Sequence, residues 1–151
     1  MKNLIKFNLN GKEVEARPQE TIWEVSKRLG EIIPHLCHRD KPGYRADGNC
    51  RVCVVEIKGE RTLAPSCRRV PTEGMTVSTS SEKSKKARNM VLELLLTDQP
   101  KKAISHDPNS LLWSWIEKAG LKQSRFPLEA PIEADNSHVA MAVNLDSCIH
   151  C

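Results

Sequence analysis

Residues 34–60 read PHLCHRDKPGYRADGNCRVCVVEIKGE, and more than any other segment they indicate the architecture of this chain. Cys37 opens a loop that contains proline and glycine, and Cys50 and Cys53 close it just before a run of β-branched residues. We expect no regular structure in the loop, whereas RVCVVEI predicts a strand. Cys67 follows on the next predicted strand, which completes the spacing C-x12-C-x2-C-x13-C.

The cysteine spacing indicates metal binding rather than disulfides. The N-terminal segment MKNLIKFNLNGKEVEARP lacks the apolar run of a secretion signal, and no segment approaches the roughly 18 apolar residues of a membrane span. We therefore expect a cytoplasmic protein whose thiols stay reduced. Paired cysteines in a reducing compartment usually bind metal. Bound metal would also support the small core implied by 39% hydrophobic and 4% aromatic residues.

Four cysteines suit either a [2Fe–2S] cluster or a zinc ion. A cluster is bulkier than one ion, so the backbone must wrap around it and donate N–H groups to its sulfurs, and the glycine-containing loop allows this. Two close and two distant cysteines favour [2Fe–2S], as in plant-type ferredoxins, although the first gap there is shorter. Zinc remains the alternative. His35 and His38 flank Cys37, where they line the loop or tune the site by hydrogen bonding.

The segments around this loop predict an α+β unit. Asn10-Gly11 suits a type I′ turn between two strands. Thr21 and Glu24 have the spacing of a capping box and begin a short helix that ends at Gly30. The further predicted strands are LIKFNL, KEVEA, RTLAPSC and GMTVST.

Beyond residue 79 the composition shifts toward helix. A helix that begins at Ser80 or Ser81 ends before Pro100. It has an apolar stripe with helical spacing, formed by Ala87, Met90, Val91, Leu94 and Leu95. Its first part, EKSKKAR, is interpreted as a solvated basic face, with a docking surface for an acidic partner as the alternative. The lack of interleaved aromatic residues argues against nucleic-acid binding. A shorter helix is predicted for 108–119, and VAMAVNL predicts a last strand.

The quoted stretch, together with APSC before residue 68, closely resembles the N-terminal [2Fe–2S] region of the alpha subunit of NAD-dependent formate dehydrogenase. Similar domains open the large iron–sulfur subunit of complex I and the diaphorase subunit of NAD-reducing hydrogenases. The resemblance implies a β-grasp, ferredoxin-like fold. It also implies that the cluster ligands are Cys37, Cys50, Cys53 and Cys67.

The C-terminal VNLDSCIHC resembles the start of a ferredoxin-like [4Fe–4S] module. Such modules continue as C-x2-C-x2-C-x3-C-P, so Cys148 and Cys151 match the first two ligands. A complete [4Fe–4S] site would need ligands from a continuing chain. We therefore expect this sequence to be the N-terminal part of a larger subunit.

One departure from the family concerns the segment between the two modules. Many relatives carry a [4Fe–4S] site there, spaced H-x3-C-x2-C-x5-C. This chain has Gln99-Pro100 in place of His-Pro, and a register from His106 meets Ser110, Trp113 and Ala119 instead of cysteines. The absent ligands favour the formate dehydrogenase branch over complex I and hydrogenase.

These observations predict four regions and a role in electron transfer. The regions are a [2Fe–2S] domain (1–79), a helical segment without cluster ligands (80–120), a linker (121–138) and the start of a [4Fe–4S] module (139–151). The resemblance implies single-electron relay between a molybdopterin site, held outside this sequence, and flavin- and NAD-binding diaphorase-type subunits. No catalytic residue is identified. The alternatives are a free-standing small electron carrier and a zinc-stabilised docking module.

Overall fold

The computed structural model describes residues 4–127, 133–145 and 148–149. The chain divides into two compact units, one up to Arg88 and one from Asn89 onward. No helix among the described residues has both the length and the apolar character that crossing a bilayer requires.

The first unit is a five-stranded mixed sheet with one helix, as the α+β prediction requires. The strand order is β2-β1-β5-β3-β4, with β1 and β5 parallel and the other neighbours antiparallel. A hairpin, a helix and three returning strands in this order form the β-grasp arrangement that the resemblance implied. The elements are β1 (Ile5–Leu9), β2 (Lys12–Ala16), α1 (Ile22–Arg28), β3 (Val54–Ile57), β4 (Ala64–Pro65) and β5 (Thr76–Ser78).

The β1–β2 turn has the predicted conformation. Asn10 and Gly11 both have positive φ, 53° and 85°, as a type I′ turn requires. The Asn10 side chain accepts a hydrogen bond from the Thr79 backbone N–H and donates to its Oγ1, each at 2.8 Å. The side chain of Asn10 therefore also holds Thr79, the residue after β5, next to the turn.

Helix α1 starts at the predicted capping box. Thr21 Oγ1 accepts from the Glu24 N–H at 3.3 Å, and the Glu24 carboxylate accepts from the Thr21 N–H at 2.7 Å. The first free N–H groups of the helix donate to the segment after β4: Ile22 to the Arg69 carbonyl and Trp23 to the Ser66 carbonyl. The N-terminus of α1 thus holds the segment that contains Cys67.

The core of the first unit lies between the sheet and α1. Alternation along each strand places every second side chain on the helix face, so the buried set comes from all the longer elements. The central members, each at most 2% exposed, are Phe7, Leu9, Ile22, Val25, Val55 and Val77.

Arg28 joins the end of α1 to the segment that precedes the helix and to β2. Arg28 Nε and Nη2 donate to the two carboxylate oxygens of Glu20 at 2.9 and 3.0 Å, and Nη2 also donates to the Glu15 carbonyl. The hydrogen bond from Arg28 is the main reason that the pKa of Glu20 lies below its ordinary value.

We expect Glu20→Gln to lower the free energy of unfolding by about 1 kcal/mol at neutral pH. A lowered pKa contributes stability above the unfolded-state value, and this contribution is lost as pH falls through the folded-state pKa. The deficit should therefore shrink at acid pH, as measured by urea unfolding from pH 7 to 3. Exposed Glu13→Gln is the control. A deficit that stayed constant with pH would contradict the ion-pair explanation.

The second unit contains the rest of the chain from within α2 onward. Its elements are α2 (Glu82–Leu95, which begins in the first unit), two 3₁₀ turns (Leu96–Asp98 and Lys102–Ile104), α3 (Leu111–Lys118), β6 (Asp135–His138) and β7 (Met141–Val143). Residues 135–138, at the end of the predicted linker, pair with β7 as a hairpin. All four side chains are exposed. The strand therefore lacks the alternation of buried and exposed residues from which a strand can be predicted.

The buried face of α2 also differs from the prediction. The apolar stripe predicts that Leu94 is covered, yet this side chain is 47% exposed. The covered residues near the start of the helix are Ser84, Arg88 and Leu92, spaced four apart. The interpretation of EKSKKAR as a wholly solvated face is therefore wrong at Arg88, which is 7% exposed.

Candidate metal centre

Two of the four predicted ligands lie at strand ends, and the other two, Cys37 and Cys50, lie in the loop between α1 and β3. Cys53 directly precedes β3, and one residue, Ser66, separates β4 from Cys67. Cys50, Cys53 and Cys67 are buried, whereas Cys37 is half-buried. Between Cys50 and Cys53 the chain curls back, since Arg51 has a φ of 57° in the left-handed region. This curl explains why β3 starts at Val54, later than the sequence predicts.

The cysteines form two close pairs. The Sγ atoms of Cys53 and Cys67 are 3.4 Å apart, and the thiols of Cys37 and Cys50 are hydrogen-bonded to each other. A separation of 3.4 Å is too long for a disulfide bond, which measures about 2.05 Å. It is close to the roughly 3.8 Å between two thiolates on one tetrahedral ion with metal–sulfur bonds of about 2.3 Å. The spacing of the Cys53–Cys67 pair therefore suits two sulfurs that share one metal ion.

Backbone N–H groups converge on these sulfurs. The sulfur of Cys50 accepts from the N–H groups of Cys37 and Val52. The sulfur of Cys53 accepts from the N–H of Cys67. Hydrogen bonds of this kind favour the thiolate, which is the form that binds metal.

The pKa values of the buried thiols follow from these contacts. The hydrogen bond between the two thiols lowers the pKa of Cys53 to about 6. The same hydrogen bond raises the pKa of Cys67 far above the ordinary thiol range. Burial raises the pKa of Cys50. A bound metal ion would displace the thiol proton from the Cys53–Cys67 pair.

Ser66 connects the two cysteines of the buried pair. Its hydroxyl donates to the Cys53 carbonyl at 2.7 Å, and its N–H donates to the same oxygen at 3.2 Å. Ser66 is itself 0% exposed. This serine is a site residue that the sequence reasoning missed. Its only signal was its place beside Cys67 in APSC.

Gly48 lets the loop pass close to β4. A Cβ on Gly48 would lie 3.1 Å from Arg68 Cγ and 3.6 Å from Pro65, and the φ of Gly48 is +71°. Gly43, in the same loop, has a φ of +82° but no neighbour within 4 Å of its virtual Cβ. Comparing substitutions at Gly48 and Gly43 therefore separates the cost of a positive φ from the cost of steric crowding.

We expect Gly48→Ala to lower the free energy of unfolding by more than Gly43→Ala, for which the left-handed conformation alone should cost about 1–2 kcal/mol. The additional cost arises because Arg68 and Pro65 must move away. Gly48→Ala should also speed cluster loss in a chelator, measured from the decay of visible absorption. Equal effects of the two substitutions would contradict the role of close packing.

His35 and His38 lie beside a cavity next to Cys37. The cavity has a volume of about 500 Å³ and is also lined by Trp23, whose ring contacts both imidazoles edge-on, with centroids 4.8 and 4.4 Å away. Burial lowers the pKa of both histidines. His38 Nδ1 is buried and has no hydrogen-bond partner among the described residues. Since His38 directly follows Cys37 in the chain, this nitrogen is available for a hydrogen bond to a bound group.

The four cysteines of the first unit lie near one another, arranged as two pairs. A zinc site needs its four ligands around one point, whereas each iron of a [2Fe–2S] cluster takes two thiolates. The paired cysteines match the second arrangement.

Of the C-terminal cysteine pair, only Cys148 is among the described residues. Cys148 is half-buried, and its carbonyl accepts a hydrogen bond from Gln99 Nε2 at 2.9 Å. Cys151 lies outside the described residues. Their role as the first two ligands of a [4Fe–4S] cluster therefore stays a prediction.

Comparison with known families decides the class of the first unit. Residues 2–82 match a family model described as a 2Fe-2S iron-sulfur cluster binding domain. This match covers more than half of the chain and contains all four cysteines of the first unit. The chain belongs to this family. The predicted [2Fe–2S] domain and its ferredoxin-like fold are thereby confirmed.

Individual relatives are subunits of larger oxidoreductases. The chain is 32% identical to the NADP-reducing hydrogenase subunit HndD of Solidesulfovibrio fructosivorans, over 99% of its own length but 26% of the relative's. It is 34% identical to an NADH-quinone oxidoreductase subunit of Rickettsia felis, over 64% of its length and 14% of the relative's. A crystal structure of an NAD⁺-reducing [NiFe]-hydrogenase matches with a TM-score of 0.82 and 28% identity, over 97% of this chain and 62% of that one. The chain is thus an iron–sulfur domain related to subunits of NAD-linked oxidoreductases.

Proposed function

We propose that the first unit holds one [2Fe–2S] cluster and carries single electrons. Cys37 and Cys50 would bind one iron, and Cys53 and Cys67 the other. The observation that carries this proposal is the arrangement of the four cysteines as two close pairs within a domain of the 2Fe-2S family. When bound, the cluster supplies a one-electron redox centre.

The protein's own residues would position and shield that centre. The curl at Arg51 and the Ser66 hydrogen bonds hold the sulfurs of Cys50, Cys53 and Cys67 in place, away from water. Backbone N–H groups donate to the sulfurs and stabilise negative charge. Cys37 is the most accessible of the four, so electrons would enter or leave on its side.

A redox titration tests this proposal. The chain purified without oxygen should take up one electron, bleach in the visible range and give the EPR signal of a reduced [2Fe–2S] cluster. A colourless, redox-silent protein that contains zinc would support the docking-module alternative instead. A cluster in a chain that functions without any larger subunit would support the free-standing carrier.

We further propose that the intact subunit is of the formate dehydrogenase type and works in the cytoplasm. Electrons would pass from a molybdopterin site outside this sequence to flavin- and NAD-binding diaphorase-type subunits. Cys148 and Cys151 would begin a [4Fe–4S] module completed by a continuing chain. One support is the loop in residues 34–60, with twelve residues between Cys37 and Cys50. The other is that the sequence lacks the one-histidine, three-cysteine ligand set between the [2Fe–2S] domain and the C-terminal cysteine pair.

A hydrogenase-type subunit is the second candidate, because the similarity to HndD covers 99% of this chain. The two candidates differ in the substrate that reduces the cluster. The complex isolated from cells through a tag on this chain should give the reduced [2Fe–2S] signal on addition of formate and not of hydrogen. Reduction by hydrogen alone would select the hydrogenase candidate and overturn the formate assignment.

A further inference from the structure

Arg88 is a buried cation with no carboxylate partner among the described residues. The side chain, on α2, is 7% exposed. Its Nε and Nη2 atoms both donate to one acceptor, the Val54 carbonyl, at 3.0 and 2.6 Å. None of the ion pairs in the described part of the chain includes Arg88.

A guanidinium in this position needs a compensating negative charge. Removing a cation from water is unfavourable unless an anion lies within reach, and a single carbonyl dipole compensates only part of the loss. Arginine stays protonated in proteins, so the charge cannot be avoided by losing a proton. Burial does lower the pKa of Arg88, and the opposing electrostatic attraction comes from Cys53.

Arg88 is linked to the cysteine site by its hydrogen bonds to Val54, the first residue of β3. Val54 directly follows Cys53, so the carbonyl that Arg88 binds belongs to the residue next to a predicted ligand. Arg88 lies outside residues 2–82, the part that matches the 2Fe-2S family model. Helix α2 therefore adds a positive charge to a site whose sulfurs come entirely from the preceding domain.

We propose that Arg88 is the buried counter-charge of the [2Fe–2S] cluster and that it raises the reduction potential of that cluster. This inference rests on the proposed function. One-electron reduction converts one ferric iron to ferrous and adds one negative charge at the site. A fixed cation nearby stabilises the reduced form more than the oxidised form, because the attraction grows with the charge. Arg88 is thus a positioning and electrostatic residue and not a ligand.

The test is a midpoint-potential measurement on cluster-loaded protein, with dithionite as reductant and EPR detection, for the wild type and three variants. Arg88→Gln removes the charge but keeps an amide N–H that can donate to the Val54 carbonyl. Arg88→Lys keeps the charge. Lys86→Gln removes one charge from an exposed position on the same helix and is the matched control.

We expect Arg88→Gln to lower the equilibrium constant for reduction about tenfold, which is a fall of about 59 mV in the midpoint potential. Arg88→Lys and Lys86→Gln should keep the wild-type potential. An unchanged potential in Arg88→Gln, or the same fall in Lys86→Gln, would overturn the proposal. A wild-type chain without a cluster would instead defeat the proposed function itself.

A second measurement covers the case in which Arg88→Gln binds its cluster poorly. Thermal unfolding is followed for the metal-free and cluster-loaded forms of the wild type and the variant. The counter-charge role predicts a larger loss of stability in the loaded form, because the negative charge is largest there. An equal loss in both forms, or failure of both forms to fold, would identify Arg88 as a structural anchor and overturn the proposal.

Discussion

Cys53→Ser is expected to leave the chain folded but nearly free of iron and colour. Changes outside the ligand set already cost about 10–100-fold in metal affinity, and removing a ligand should cost more. The effect should be larger at Cys53 than at Cys37, because Cys53 is 1% exposed and its sulfur lies 3.4 Å from that of Cys67. Water or another side chain has little access to replace it. The measurement is iron per chain together with visible absorption.

Cys148→Ser is the matched control for this experiment. Cys148 is also a reduced cysteine, but it belongs to the second unit. Its replacement should leave the iron content and spectrum of the [2Fe–2S] site unchanged. If Cys53→Ser kept the wild-type spectrum, or if Cys148→Ser lost it, the assignment of ligands would be wrong.

The second large effect is expected at Ser66. Ser66→Ala removes the hydroxyl donor to the Cys53 carbonyl in a fully buried position. An unsatisfied buried acceptor costs about 1–3 kcal/mol, although here the carbonyl keeps the Ser66 N–H, which favours the lower part of that range. We also expect faster cluster loss, because the hydrogen bond holds the segment between Cys53 and Cys67. Urea unfolding of the metal-free protein and the rate of bleaching in chelator measure the two effects.

Ser80→Ala serves as the control for Ser66→Ala. Ser80 is exposed, so its substitution should change stability by less than about 0.5 kcal/mol and should not change the bleaching rate. A Ser66→Ala protein that matched this control in both measurements would show that the hydrogen bond has no role in holding the site.

Local signals explain why much of the first unit could be predicted from sequence. The Asn10-Gly11 turn and the Thr21–Glu24 capping box depend only on residues within four positions of each other. Such features are decided by backbone conformation and short-range hydrogen bonds, which leave a direct trace in the sequence. The order of strands followed from the resemblance rather than from these signals.

The pairing of the cysteines could not be read from their spacing. Residues 53 and 67 approach because β3 and β4 are antiparallel, with Val54 opposite Pro65. That register places Cys53 next to Ser66, which explains both the sulfur–sulfur distance and the serine hydrogen bonds. A register between strands is a tertiary property, so neither the pair nor the role of Ser66 was visible in the sequence.

The burial of Arg88 could not be predicted from the sequence either. A run of charged residues at the start of a helix usually faces solvent, and EKSKKAR gives no local sign that one of its cations is covered. The burial of Arg88 depends on which side of α2 faces β3, and the apolar stripe indicates a different side. Only a structure with side chains connects this residue to the cysteine site.

Iron and acid-labile sulfide content, measured on the chain purified without oxygen, tests the cluster assignment most directly. Zinc is measured on the same sample. A [2Fe–2S] cluster held by Cys37, Cys50, Cys53 and Cys67 predicts two iron and two sulfide per chain, with no zinc. One zinc per chain, with neither sulfide nor visible absorption, would contradict the assignment and leave a zinc-stabilised domain.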